Sequence, residues 1–144
     1  MKAYWLDEVI KINEEELREH GIEYRFLQGI DIEENKLIFG YSHSDRVELK
    51  SDNPKIDLIL SNFKKEHSHK DPEARYILEG NGLFDIRSNN DKWIRIEVSS
   101  NDYIVIPAFR NHRFDLNENK YIKAVRLFRD NPSWEPIYRE QNEN

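Results

Sequence analysis

The chain has 144 residues, enough for one domain with one substantial core and little spare length for a second. Its 38% hydrophobic and 35% charged residues fit a folded chain, and 22 basic against 28 acidic side chains leave a formal charge of −6, which lends no support to a nucleic-acid binder or a protein of anionic membranes. With no cysteine, disulfides, thiolate metal sites and cysteine nucleophiles are excluded, and no segment approaches the roughly 20 apolar residues of a membrane span. The first residues, MKAYWLDEVIKINEEE, lack the apolar run of a secretory signal, so the expected location is cytoplasmic.

The first 60 residues read as polar and irregular. Asn13 can cap a short helix with Glu16 returning the bond, Glu14 to Glu16 suit the positive end of its dipole, and Gly21 can end it after His20. Residues 22–27 and 36–39 read as short strands around a turn. Val47 and Leu49 alternate with polar neighbours, and KIDLILSNF after Pro54 is compatible with helix or strand. From Arg75 onward short strands alternate with compact turns: 75–79, the EGNG turn, 83–87, SNND, 92–98, SSND, 103–106, the Pro107 turn, 112–116, NEN and 120–128. That pattern predicts an antiparallel barrel or sandwich, and REQNEN at the end is expected to fray. The reading is a single domain over 1–144, with a peripheral region 1–60 and a barrel core 61–138.

The chemistry concentrates in EHSHKDPEAR, residues 66–75. His67 and His69 are two apart, so an extended chain points both imidazoles to one side. Glu73 follows Pro72, which can turn the chain back toward them, and His112 opens a later strand. Three imidazoles and a carboxylate can hold a first-row divalent metal with two positions open, although surface histidines also fall two apart by chance. His20 and His43 stand isolated in polar stretches and receive no role.

Residues 63–138 resemble the acireductone dioxygenases, metal-dependent cupin enzymes of methionine salvage, through HSHKDPEARYILEGNGLFDIR, KWIRIEV, the Pro-Ala turn before HRF, YIKAVRLF and the closing Pro-Trp region. The resemblance implies an all-β cupin fold, a double-stranded β-helix or small antiparallel barrel, here with short N-terminal helical and strand additions. It implies His67, His69, Glu73 and His112 as ligands of one Fe2+ or Ni2+ per chain, and an acireductone and O2 as the substrates of a monomer. Alternation alone leaves Arg75 and Arg126 divided between internal ion pairs and anionic-substrate contacts; the resemblance favours the second, as catalytic groups. It likewise places Phe63, Phe114 and Trp134 at the substrate pocket, where ordinary core packing is the alternative. Glu66 and Asp71 can orient a ligand or balance an arginine, and Trp93 reads as structural. Asn101 and Phe109 stand where the family carries glycines; Phe109 tolerates positive φ poorly and is expected either to redirect its turn or to narrow the pocket mouth. The competing reading is a divergent cupin oxygenase or isomerase with the same ligands and another enediol or oxo acid.

Overall fold

The computed structural model describes residues 2–139, so most of REQNEN lies outside the described residues. In chain order the elements are β1 (Lys2–Trp5), β2 (Ile10–Lys11), α1 (Glu14–Glu19), β3 (Glu23–Phe26), β4 (His43–Lys50), α2 (Ile56–Phe63), β5 (His67–Ser68), β6 (Glu73–Arg87), β7 (Trp93–Ser99), β8 (Asp102–Ile106), β9 (His112–Asp115), β10 (Tyr121–Phe128) and β11 (Ile137–Tyr138). All the pairings are antiparallel. One sheet runs β11-β5-β9-β6-β7-β1-β2 and the other β4-β10-β6-β8-β3, with β6 common to both. This is the expected all-β cupin architecture.

The shared strand corrects one expectation. EGNG is not a turn between two strands; residues 73–87 form one continuous strand of 15 residues. Its first half pairs with β8 and β10, and from Asn81 it pairs with β7 and β9. The ladder to β10 slips by one residue between Lys123 and Ala124, which marks a bulge just before Gly80. A bulge bends and twists a strand, so it carries β6 from one sheet to the other. Gly80 has φ +83°, and a Cβ there would lie 2.2 Å from the Tyr121 carbonyl oxygen. The glycines that signal a turn in sequence serve here as a corner inside a strand.

A second correction concerns residues 36–39, which are not extended. Residues 32–40 form consecutive turns. Asp31 Oδ1 accepts from the N–H of Glu33 and Glu34, and later N–H groups bond three residues back. Local capping by a short carboxylate competes successfully with strand pairing here. The segment lays Ile32, Phe39 and Tyr41 over Ala74, Tyr76, Tyr103, Val125 and Leu127, the outer face of the β10-β6-β8 layer. Helix α1 follows its caps: Asn13 Oδ1 accepts from Glu16 N–H at 2.8 Å, and Gly21 and Ile22 donate back to Arg18 and Leu17. KIDLILSNF resolves as helix, with Ile56 and Leu60, four apart, buried.

The interior of the barrel is filled by alternate residues of the strands, among them Ile77, Ile86, Ile94, Ile96, Ile104 and Ile106, all at most 1% exposed. Each such burial contributes roughly 1.5–3 kcal/mol. Ala3, Ile12, Leu17, Ile22 and Tyr24 from the first part of the chain join the same cluster. Among the described residues, no helix is long and apolar enough to cross a membrane.

The corner is testable. Gly80→Ala must displace the β10 backbone and should lower folding stability by about 3 kcal/mol or more. Gly29→Ala also has a positive φ (+76°) but meets nothing within 4 Å, and should cost only about 1 kcal/mol. Urea unfolding midpoints of the two variants measure the difference.

Candidate metal centre

His67 and His112 are brought together by strand register, as direct partners across β5 and β9 with ring centroids 4.5 Å apart. The chain then turns at Lys70 to Pro72 and enters β6 at Glu73, which folds His69 and Glu73 back onto the same point. One ring nitrogen of each of His67, His69 and His112 lies within 4.8 Å of the other two. Glu73 Oε1 is 3.2 Å from His69 Nε2 and 3.7 Å from His112 Nε2.

The other ring nitrogens decide what this cluster can do. His67 Nδ1 donates to the Lys65 carbonyl at 2.7 Å, His69 Nδ1 to the Asp71 carbonyl at 2.7 Å, and His112 Nδ1 to the Arg110 carbonyl at 2.9 Å. A carbonyl can only accept, so each Nδ1 carries the proton and each neutral ring keeps its Nε2 lone pair. In the neutral form those lone pairs and the Glu73 carboxylate face one another with no proton between them, whereas a protonated ring would donate through Nε2 to Glu73. Among the described residues His112 Nε2 is the buried side-chain atom without a hydrogen-bond partner, in a residue 2% exposed. Such an arrangement costs about 1–3 kcal/mol for each buried acceptor left unpaired, and three imidazoles with one carboxylate suit a divalent transition metal.

Electrostatics separate two of the rings. Burial disfavours a charged His67 and lowers its pKa, despite the Lys65 carbonyl. Burial acts on His112 in the same sense, but the Glu73 charge outweighs it and raises the pKa. Glu73 is itself buried, which alone would raise it, yet Arg75 and His112 hold its carboxyl well below the ordinary range.

Above the cluster lies a cavity of about 170 Å³. Glu73, Arg75, Arg126 and the three histidines line one part of it; Leu49, Phe63, Ile77, Phe84, Phe114 and Ile122 supply apolar wall. Gly82 leaves room for the Phe114 ring, since a Cβ there would lie 2.7 Å from it. Trp134 also lines the cavity, edge-on to His69 at 5.5 Å and against the guanidinium groups of Arg75 at 5.2 Å and Arg126 at 5.8 Å. Both arginines also make internal ion pairs, so the two readings offered by alternation coexist. Arg75 Nη2 donates to Glu73 at 3.2 Å, and Arg126 forms a two-pronged pair with Asp45.

Phe109 is the exception among the expected pocket residues. The residue is 63% exposed and does not line the cavity. The turn keeps the positive φ of a glycine, +60°, and directs the side chain outward, while the Phe109 N–H donates to the His69 carbonyl at 3.0 Å. Asn101 likewise accepts a φ of +75°. Glu66 balances arginines, bonding Arg87 through both oxygens and Arg139 at 2.8 Å. Asp71 contributes its carbonyl to His69 and its carboxylate to the Ser133 N–H. The three carbonyl partners and Asp45 escaped sequence reading: a backbone acceptor has no residue signature, and Asp45 is a lone acidic residue 30 positions before Arg75.

Comparison with known proteins identifies the family. The model of the ARD/ARD' family matches residues 7–136. The acireductone dioxygenase of Heterostelium pallidum is 50% identical over 102 residues, covering 71% of this chain and 70% of that protein. That of Dictyostelium discoideum is 41% identical over 147 residues, covering 96% and 99%. Among solved structures, the acireductone dioxygenase from Bacillus anthracis with a cadmium ion in its active centre superposes with a TM-score of 0.83 at 25% identity, over 95% of this chain and 97% of that one.

Two outcomes follow. His69→Ala and His112→Ala should reduce bound divalent metal, measured by elemental analysis, by at least tenfold at fixed free metal, whereas Phe109→Gly should retain it. Acidification should release metal, because only neutral imidazole ligates; His112, with its raised pKa, takes the competing proton first and His67, with its lowered pKa, resists it. A metal-binding titration across pH 5–8 should therefore show affinity falling steadily toward the acid end.

Proposed function

The chain belongs to the ARD/ARD' family, and from that membership and the geometry of its site we propose that it is an acireductone dioxygenase of methionine salvage, cleaving 1,2-dihydroxy-3-oxo-5-methylthiopentene with dioxygen. The observation that carries the reading is the convergence of three Nε2 lone pairs and the Glu73 carboxylate beneath a cavity with two arginines and an apolar wall. His67, His69, Glu73 and His112 would hold one Fe2+ or Ni2+ per chain. When bound, that ion supplies Lewis acidity toward the enediol oxygens and the means of reaction with dioxygen.

The protein's own groups do the rest. Arg75 and Arg126 offer fixed guanidinium charge to the oxygens of the deprotonated substrate, in a site where low polarity strengthens the attraction. Glu73 remains ionised beside Arg75 and does not compete for the substrate's proton. Leu49, Phe63, Phe84 and Phe114 suit the methylthio tail, so the molecule lies with its oxygens toward the histidines and its sulfur toward the aromatic wall. Trp134 covers the arginine end and limits water. With the Phe109 ring outside the cavity, the reason to expect an altered substrate lapses.

With iron the products are formate and 4-methylthio-2-oxobutanoate; with nickel they are formate, carbon monoxide and 3-methylthiopropanoate. Protein loaded anaerobically with each metal, then given substrate and oxygen, should yield carbon monoxide in the nickel form alone. Arg75→Ala and Arg126→Ala should each lower kcat/KM by about 10²-fold with the metal largely in place. Fully loaded protein that leaves the compound at its uncatalysed rate of decay would overturn the assignment.

A further inference from the structure

The strands β4, β10 and β6 lie side by side, and their register puts Asp45, Arg126 and Arg75 in one row across the sheet. Two arginines directly opposite one another repel, and both border the cavity. Each has its own carboxylate. Arg75 Nη2 donates to Glu73 Oε1, on the metal side, and its Nη1 to the Ala74 carbonyl at 3.0 Å. Arg126 Nε donates to Asp45 Oδ1 at 2.7 Å and its Nη2 to Asp45 Oδ2 at 2.5 Å, on the outer side. The row therefore alternates in pairs from an outer carboxylate, through two guanidinium groups, to the carboxylate at the histidines.

The two-pronged bond consumes one edge of the Arg126 guanidinium. Trp134 lies against the group at 5.8 Å. Among the described residues this leaves Nη1 as the Arg126 guanidinium nitrogen without a protein partner, on a side chain that lines the cavity. A fork–fork pair fixes the plane of a guanidinium as well as its place. The Arg126 and Asp45 side chains are 32% and 41% exposed, and ion pairs in that setting add little to folding stability, so orientation is the larger consequence of this one. Asp45 itself does not line the cavity.

We propose that Asp45 is a positioning residue for substrate recognition, which turns the unpaired Nη1 edge of Arg126 toward an anionic oxygen of the enediolate and allows two arginines to share one end of the cavity. The inference rests on the activity proposed above for the same site.

The test compares Asp45→Ala in wild-type and Arg126→Ala backgrounds, all metal-loaded. In the wild-type background KM for the acireductone should rise about tenfold with a smaller change in kcat, while metal content and thermal midpoint stay within error. In the Arg126→Ala background the same substitution should add nothing, since the group it orients is gone. Wild-type kinetics in Asp45→Ala, or an equal loss in both backgrounds, would overturn the proposal. A second reading needs no turnover: the side-chain 15Nε–1H signal of Arg126, identified by its disappearance in Arg126→Ala, should exchange slowly with solvent in the native protein and rapidly in Asp45→Ala. Unchanged exchange also overturns it. Loaded wild-type protein that fails to consume the compound would refute the activity instead, and the exchange measurement would still decide whether Asp45 holds Arg126.

Discussion

Three backbone carbonyls, those of Lys65, Asp71 and Arg110, govern the chemistry of this protein by each accepting an imidazole Nδ1–H. If the protons sat on Nε2 instead, the His69 and His112 rings would face Glu73 as donors and close the cluster by hydrogen bonds. With the protons held outward, Glu73 and the rings present only acceptors to one another. A buried lone pair left unpaired costs about 1–3 kcal/mol, more beside a charge. The metal-free fold therefore carries an unfavourable interaction that a divalent cation at this point would relieve, so the same geometry that costs energy in its absence would supply affinity.

The barrel makes that arrangement reproducible. His67 and His112 face each other because β5 and β9 pair in that register, and Glu73 is placed by being the first residue of the strand common to both sheets. The bulge and Gly80 let this strand turn the corner, so that its first half carries Glu73, Arg75 and Ile77 along one side of the cavity and its second half carries Phe84 to another. The turns at 32–40 cover the outside of the same layer. The reactive face is thus supported from behind by packed aromatic and aliphatic side chains.

Much of this was legible in the sequence, and the misses have physical reasons. The His-x-His spacing, Glu73 after a proline and the remote His112 point to the cluster, because ligands must carry particular side chains. The strands from 92 to 128 are legible because alternation is unbroken and the turns are rich in Asn, Asp and Ser. EGNG misleads because glycine permits a turn and a bulge equally. Residues 36–39 mislead because the deciding group is the side chain of Asp31, five residues earlier. Phe109 keeps the glycine-like backbone and turns its ring to solvent, a choice set by surroundings that the chain alone does not spell out. Asp45 becomes meaningful only when register sets it opposite Arg126.

The central claim, that the fold holds three Nε2 lone pairs toward one point, can be measured without any turnover. Long-range 1H–15N correlation spectra of the metal-free protein near neutral pH report the tautomer of each imidazole. The account predicts Nδ1–H for the neutral forms of His67, His69 and His112, with the Nε2 resonances shifting when a diamagnetic divalent ion such as Zn2+ is added. Nε2–H tautomers at two of these rings, or Nε2 signals indifferent to the ion, would contradict it.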